Sequence, residues 1–245
     1  MFHHQYYLNP LSFSPVLWID FADASTVTTS GGNITNLSDK SPSALSFLQI
    51  VGTKRPAYIT AGLNGLNLAR FDGTNDELVG AFSSNLLRNV SGSTIYVVRA
   101  LSAPPVTGRV MLNILTNTSD VRANIRFSTS AFSAISGRTL DADAQSNADG
   151  SVASSSGAYA VHTGLFDYAN TDMFVYVNGG LEASNTSFGT ATVTSNTTSA
   201  GTSIGSSYGS RYFNGDICEI LVFHSAHNNA TRYAITQYLR TKWGI

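Results

Sequence analysis

The run Ile217-Cys218-Glu219-Ile220-Leu221-Val222-Phe223, preceded by Phe213-Asn214-Gly215-Asp216, decides how this chain folds. Seven mostly apolar residues, rich in β-branched and aromatic side chains, are too few for a buried helix. They read as a strand that closes a sheet, with Asn214-Gly215 as the turn before it. Working back from this run, Met173-Phe174-Val175-Tyr176-Val177-Asn178-Gly179-Gly180-Leu181 is a hairpin signal. Its Asn-Gly supplies the positive φ angles that a tight turn needs. Residues 93–100 and 110–115 read as buried strands. Residues 16–21, 45–51, 66–71 and 158–166 read as further strands, 123–127 and 131–135 as a strand pair, and 190–194 as an exposed edge strand. Residues 137–157 are small and polar and read as a long loop. Residues 229–243 are the one good helix. Asn228 or Asn229 caps it, Ile235, Leu239 and Trp243 share one face, and Gly244 ends it.

Ten to fourteen short strands and one terminal helix define an all-β chain: a two-sheet antiparallel β-sandwich with a short C-terminal helix. Composition agrees. Of 245 residues, 57 are Ser or Thr and only three are Glu, a balance that favours strands and turns over helices. The terminal helix cannot join a sheet, so it is expected to cover an edge or end of the sandwich. Residues 16–245 form the expected sandwich domain, including the helix. Residues 1–15, aromatic and broken by proline, form an N-terminal arm that packs on a neighbouring subunit or on its own domain.

Charge narrows the function. Charged residues are 12% of the chain and the net charge is −1, which offers little attraction to nucleic acid or an anionic membrane surface. No stretch is long and apolar enough for a transmembrane helix, and the first residues lack the pattern of a signal peptide. The single cysteine, Cys218, cannot form an intramolecular disulfide and reads as a small core or edge residue.

An ordered series of segments resembles the concanavalin A-like lectin/glucanase superfamily, in particular the LamG-like jelly-roll modules of phage virion and bacterial surface proteins. The series begins with Leu17-Trp18-Ile19-Asp20, Asp23-Ala24-Ser25-Thr26-Val27, Asp39-Lys40-Ser41 and Arg55-Pro56. It continues through Gly65 and Ala69-Arg70-Phe71-Asp72-Gly73 to Val175-Tyr176-Val177-Asn178-Gly179. It ends with Asn214-Gly215-Asp216-Ile217-Cys218-Glu219-Ile220 and Tyr238-Leu239-Arg240-Thr241-Lys242-Trp243-Gly244-Ile245. The resemblance implies the jelly-roll fold and allows several functions on it.

Glycosidases of the superfamily carry Glu-x-Asp-x-x-Glu on one strand, and retaining hydrolysis needs two carboxylates about 5 Å apart. Here Glu182 and Glu219 stand alone, Gly-x-Ser-x-Gly is absent, and no P-loop or dinucleotide fingerprint occurs. No catalytic residue is assigned and the protein is read as a non-enzyme. His224 and His227 read as loop histidines and His162 as a hydrogen-bonded sheet residue. No resident cofactor is expected. The oxygen-rich turn Asp72, Thr74, Asn75 and Asp76 is a weak calcium candidate, and Asp141, Asp143 and Asp149 are a weaker one. For sugar binding the best loop is Ser206-Ser207-Tyr208-Gly209-Ser210-Arg211-Tyr212. Tyr208 and Tyr212 would stack on a ring and Arg211 would donate to hydroxyls, unless the tyrosines only pack at the sandwich edge.

The resemblance, the low charge and the aromatic arm lead to a non-enzymatic virion structural protein of a phage, a capsid decoration, head-fibre or tail component. It would lie on the virion surface, with other virion proteins and further copies of itself as a homo-oligomer for partners. The alternative is a carbohydrate-binding module or receptor-binding lectin whose partner is a cell-surface glycan.

Overall fold

Alternating side chains on β8 (Ser93–Leu101) show how the layers form. Ile95, Val97 and Leu101 point into the main core, while Tyr96 and Val98 point the other way, into a second cluster beneath the helix. A computed structural model describes residues 8–80, 86–104, 108–116, 121–198 and 201–245. Its remaining strands are β1 (Leu17–Asp20), β2 (Val27–Ser30), β3 (Asn33–Ser38), β4 (Ser46–Leu48), β5 (Ala57–Leu63), β6 (Leu66–Asp72) and β7 (Leu78–Gly80). They continue with β9 (Arg109–Leu115), β10 (Val121–Phe127), β11 (Phe132–Gly137), β12 (Ser146–Ala153), β13 (Ala160–Asp167), β14 (Asp172–Val177), β15 (Gly180–Asn185), β16 (Gly201–Ile204) and β17 (Asn214–Phe223). The helix is α1 (Asn229–Trp243).

All ladders are antiparallel. The first layer runs β15-β14-β13-β8-β17; beyond β17, β1 pairs with one half of that strand and β6, followed by β5, with the other. The second layer runs β2-β3-β4-β7-β16-β9-β10-β11-β12. Among the described strands, the layers are linked by the pairing of Asn33 with Ala57. Between them lies the core, with Phe47, Phe71, Phe127, Phe166 and Phe213 all buried. This is the expected antiparallel jelly-roll sandwich.

Several local expectations change. Residues 146–153 form a strand, not loop, and residues 190–194 form no strand. The short strands β2, β3, β5 and β7 were not foreseen. Asn214-Gly215 is no turn: both belong to β17. At Gly215, with φ 153°, an added Cβ would lie 2.1 Å from the Ala100 carbonyl oxygen, so close strand approach requires glycine there. Residues 1–7 of the expected arm lie outside the described residues. Pro10–Phe13 forms a 3-10 turn, and Phe13 packs on the cluster beneath the helix.

The helix begins at Asn228, whose Oδ1 accepts from the Thr231 amide at 2.9 Å, and ends at Gly244 with φ 65°. Its buried residues Ile235, Leu239 and Trp243 pack on Trp18, Tyr96, Val98, Cys218 and Leu221. It therefore covers the outer face of the first layer and not an edge or end. The reason lies in β8 and β17, which are apolar on both faces and need a cover on the outside as well.

A register shift at Cys218 turns Glu219 toward the helix. The Glu219 side chain is fully buried and accepts from Trp18 Nε1 (2.8 Å), Trp243 Nε1 (2.8 Å), Tyr238 Oη (3.0 Å) and Lys242 Nζ (2.7 Å). Burial pushes its carboxyl up; Lys242 and the Trp243 indole pull it back. Lys242 also bonds Asp20 at 2.7 Å, and Lys40 bridges Asp20 and Asp23. Asp39 accepts from the amides of Trp18 and Ser41, both at 2.8 Å. Arg70 makes a two-pronged ion pair with Asp216 at 2.7 and 2.9 Å. Replacing Glu219 by alanine removes the acceptor from a half-buried ammonium and two buried indoles. The expected loss is about 3–5 kcal/mol of stability in urea unfolding; a loss below about 1 kcal/mol would show that the network does not hold the helix.

Candidate functional site

Glu77 starts the site. It follows the Asp72–Asp76 turn, and its side chain is buried. One oxygen takes Lys54 at 3.0 Å; the other accepts from Ser206 Oγ and the Gly209 amide, both at 2.9 Å. The loop after β16 is thus pinned at two points. Ser203 Oγ adds a third, accepting from the Tyr208 amide at 3.3 Å. Tyr208 and Arg211 take φ of 52° and 50°, conformations that non-glycine residues rarely adopt without such anchoring. Arg211 is exposed, and Tyr208 and Tyr212 are half-buried. Burial, then the charge of Glu77, pushes the Tyr208 hydroxyl up.

Beside Glu77 runs a groove of about 410 Å³ lined by Leu48, Gln49, Ile50, Val51, Lys54 and Val79. Ile50 is 84% exposed, Leu48 52% and Val51 46%, a cluster of apolar side chains held in water. The segment that carries them is fixed. Arg55 donates to the carbonyls of Gln49 and Ile50 at 2.9 and 3.0 Å, and Gln49 donates to the Glu77 carbonyl at 2.9 Å. Neither the groove nor Glu77 was singled out from sequence; the groove forms because β4 and β7 pair Leu48 with Val79.

The calcium candidates take another role. Asp72 Oδ1 accepts from the amides of Thr74 (2.7 Å) and Asn75 (3.2 Å), and Asp76 Oδ2 accepts from the Asp72 amide (2.9 Å). Their carboxylates therefore bind the turn itself. Burial pushes the Asp76 carboxyl up to about 6. Arg109 joins this turn to the sugar-binding candidate, donating to the carbonyls of Gly73 (3.0 Å) and Tyr212 (2.7 Å). Asp141 and Asp143 accept from Ser195, Thr197, Thr139 and Thr190, while Asp149 lies in β12 paired with Arg126 at 2.7 Å. Among the described residues, no three His, Cys, Asp or Glu side chains converge as metal ligands.

Two carboxylates do come together across strands: Asp20 is the register partner of Glu219, and both bond Lys242. The sequence pattern missed this pair because its members lie on different strands. Both are buried beneath the helix, so the pair is neutralised and closed to substrate.

Cys218 is buried in the core as expected, and burial holds its thiol well above the usual range. His162 is a correction. Its ring is fully buried, but neither nitrogen has a hydrogen-bond partner, because it points into the core against Phe127. His227 is buried against Tyr96 Oη at 2.9 Å, whereas His224 is exposed.

The fold and the held groove define a lectin-like jelly roll. Residues 88–231, more than half of the chain, match a family of the concanavalin A-like lectin/glucanases superfamily, and the chain belongs to that family. No curated protein sequence matches it. Among solved structures it is similar to the binding domain of botulinum neurotoxin DC in complex with rat synaptotagmin II. That likeness has a TM-score of 0.63 and 11% identity, covering 92% of this chain and 52% of the neurotoxin domain. It is also similar to the CBM40 module of the Ruminococcus gnavus IT-sialidase bound to α2,3-sialyllactose (TM-score 0.51, 15% identity, 62% of this chain and 85% of that one). A third likeness is to the Trypanosoma rangeli sialidase in complex with the inhibitor DANA (TM-score 0.61, 11% identity, 91% and 32%). The chain thus spans about half the length of the neurotoxin domain, and these identities carry the fold alone.

Burial holds the His162 imidazole well below its usual value and pushes that of His227 down to about 4. Both stay neutral in the fold and take up protons on unfolding below about pH 6.5, so stability falls as pH drops from there towards 4. Asp76 acts in the opposite sense between about 3.8 and 6. Comparing His227→Gln with the parent cancels the other groups. The parent should lose about 1.4 kcal/mol more per pH unit over that window in urea titrations; parallel curves would place His227 outside the pH response.

Proposed function

We propose that this protein is a carbohydrate-binding lectin domain whose site is the groove along the Leu48–Val51 segment together with the Tyr208 loop that Glu77 ties to it. The observation that carries this reading is the held cluster of Leu48, Ile50 and Val51 in solvent, next to a loop that Glu77 locks in place. Sugars have apolar C–H faces and a polar rim. The groove offers apolar contact through Ile50, Val51 and Val79, and Lys54 lies at its margin. Tyr208 and Tyr212 add aromatic surface, and Arg211 adds donors. Its fold is shared by a module solved with a bound sialyllactose, which supports the reading at the level of architecture.

Binding to immobilised glycans should weaken about tenfold or more in Tyr208→Ala and in Ile50→Ser. Glu77→Gln should weaken it too, through a loosened loop, seen as faster amide exchange at Gly209. Unchanged affinity in both Tyr208→Ala and Ile50→Ser would remove this site.

A phage virion surface is the setting we propose for the domain, supported by its resemblance to virion modules. Gold-labelled antibody on concentrated particles should mark the head or the tail; unlabelled particles would move the domain to a free lectin.

A further inference from the structure

Arg99 breaks the pattern of β8. It points inward with Val97 and Leu101, yet carries a charge. The residue is 1% exposed. It crosses the space between the layers, with its guanidinium carbon 4.6 Å from the centre of the Phe127 ring. Nη2 donates to Ser133 Oγ at 3.0 Å and to Ser154 Oγ at 3.1 Å; Nε is buried with no partner. Both acceptors are neutral, and no carboxylate of the described residues pairs with this guanidinium.

Of the other buried arginines, Arg126 pairs with Asp149, whereas Arg122, like Arg99, donates to neutral acceptors, the carbonyls of Leu86 and Thr197, and lies in the field of one acid, Asp141 for Arg122 and Glu182 for Arg99. An arginine stays protonated at any ordinary pH, and a buried cation without a counter-charge is costly. Here the cation lines a cleft of about 180 Å³, with Ser154, Ser155, Tyr159, Val177 and Glu182 among its walls. That space admits several waters, and so a carboxylate. The Ser133 and Ser154 hydroxyls accept from Arg99, so their own hydrogens are free to donate onward.

We infer that this cleft is a carboxylate-binding site, with Arg99 as counter-charge, Ser154 as hydroxyl donor and a sugar acid as the ligand class. Tyr159 does not serve as a donor, because its hydroxyl is already given to Asp216. Glu182 stands on the same cleft as the competing anion, which keeps affinity modest. The cleft shares no residue with the Tyr208 groove, so this inference stands or falls apart from that site.

The test uses the full chain, labelled with 15N and followed at the Arg99 Nε–H resonance. D-glucuronate should move that resonance and glucose should not. Glu182→Gln removes the like charge and should tighten glucuronate about tenfold, the ratio that 1.4 kcal/mol represents; Ser154→Ala should weaken it. Acetate at an affinity equal to glucuronate would uphold the carboxylate site and overturn the sugar-acid class. Absence of any shift with either carboxylate, or a Glu182→Gln variant that binds no tighter, would overturn the site. These surface substitutions leave the fold intact where Arg99→Gln risks unfolding it.

Discussion

Four donors converge on one buried carboxylate, and the rest of the structure depends on that meeting. Glu219 belongs to the central strand, Trp18 to the first strand, and Tyr238, Lys242 and Trp243 to the last two turns of the helix. A buried carboxylate costs several kcal/mol in lost hydration, and only near-complete pairing offsets it. Pairing here is possible in a single arrangement, with the helix lying across the outer face of β8 and β17. The network therefore fixes the position of the helix more than it adds net stability. Asp20, Lys40 and Asp23 extend it to the first loop, so residues more than 200 positions apart are tied at one point.

This arrangement also decides where function is available. A pair of carboxylates on neighbouring strands is what hydrolysis of a glycosidic bond would use. In this chain the pair, Asp20 and Glu219, is committed to Lys242 and covered by Trp243. The outer face of the first layer is occupied in the same way by Ile235, Leu239 and Trp243. One place left open is the margin of the second layer, where β4 and β7 meet the segment that Glu77 pins. There a carboxylate again does the organising: Glu77 holds Lys54, Ser206 and the Gly209 amide, and the side chains it positions face water.

The fold was legible wherever strands are apolar or turns have distinct chemistry. Residues 93–100 and 217–223 announced themselves because both faces are covered, and Ile235, Leu239 and Trp243 announced the buried face of the helix. Strand β12 was missed because its side chains alternate between buried small residues and exposed polar ones, which reads as loop. The expected strand at 190–194 failed because its threonine hydroxyls are tied to distant segments: Thr190 bonds Asp143, and Thr194 bonds the Leu87 carbonyl. The segments that carried the family resemblance were legible for a structural reason. Trp18, Asp20, Lys40, Glu219 and Lys242 belong to the buried network, and Asp39 and Arg70 each hold neighbouring strands. Their presence reports the scaffold and says little about a ligand. Tyr208, Arg211 and Tyr212 do share a loop at the surface, as their spacing suggested. The groove beside them was illegible, since Leu48, Ile50 and Glu77 meet only through strand register.

Glu219 and Arg99 pose the same electrostatic problem with opposite outcomes. Each is a buried charge in a chain with few charges, and each lies on one of the two strands that pair at the centre of the first layer. Glu219 is answered by an ammonium, two indoles and a hydroxyl. Arg99 is answered by two serine hydroxyls and the face of a phenyl ring, none of which carries charge. Were a buried cation only a device for joining the layers, an uncharged side chain reaching Ser133 would join them at lower cost. The fold keeps the guanidinium beside a cleft that opens to water and places Glu182, whose charge favours the cation, on the cleft wall without an ion pair. A buried charge whose direct contacts are all neutral, at the bottom of a space that admits a small anion, is better explained by what enters that space than by the packing around it.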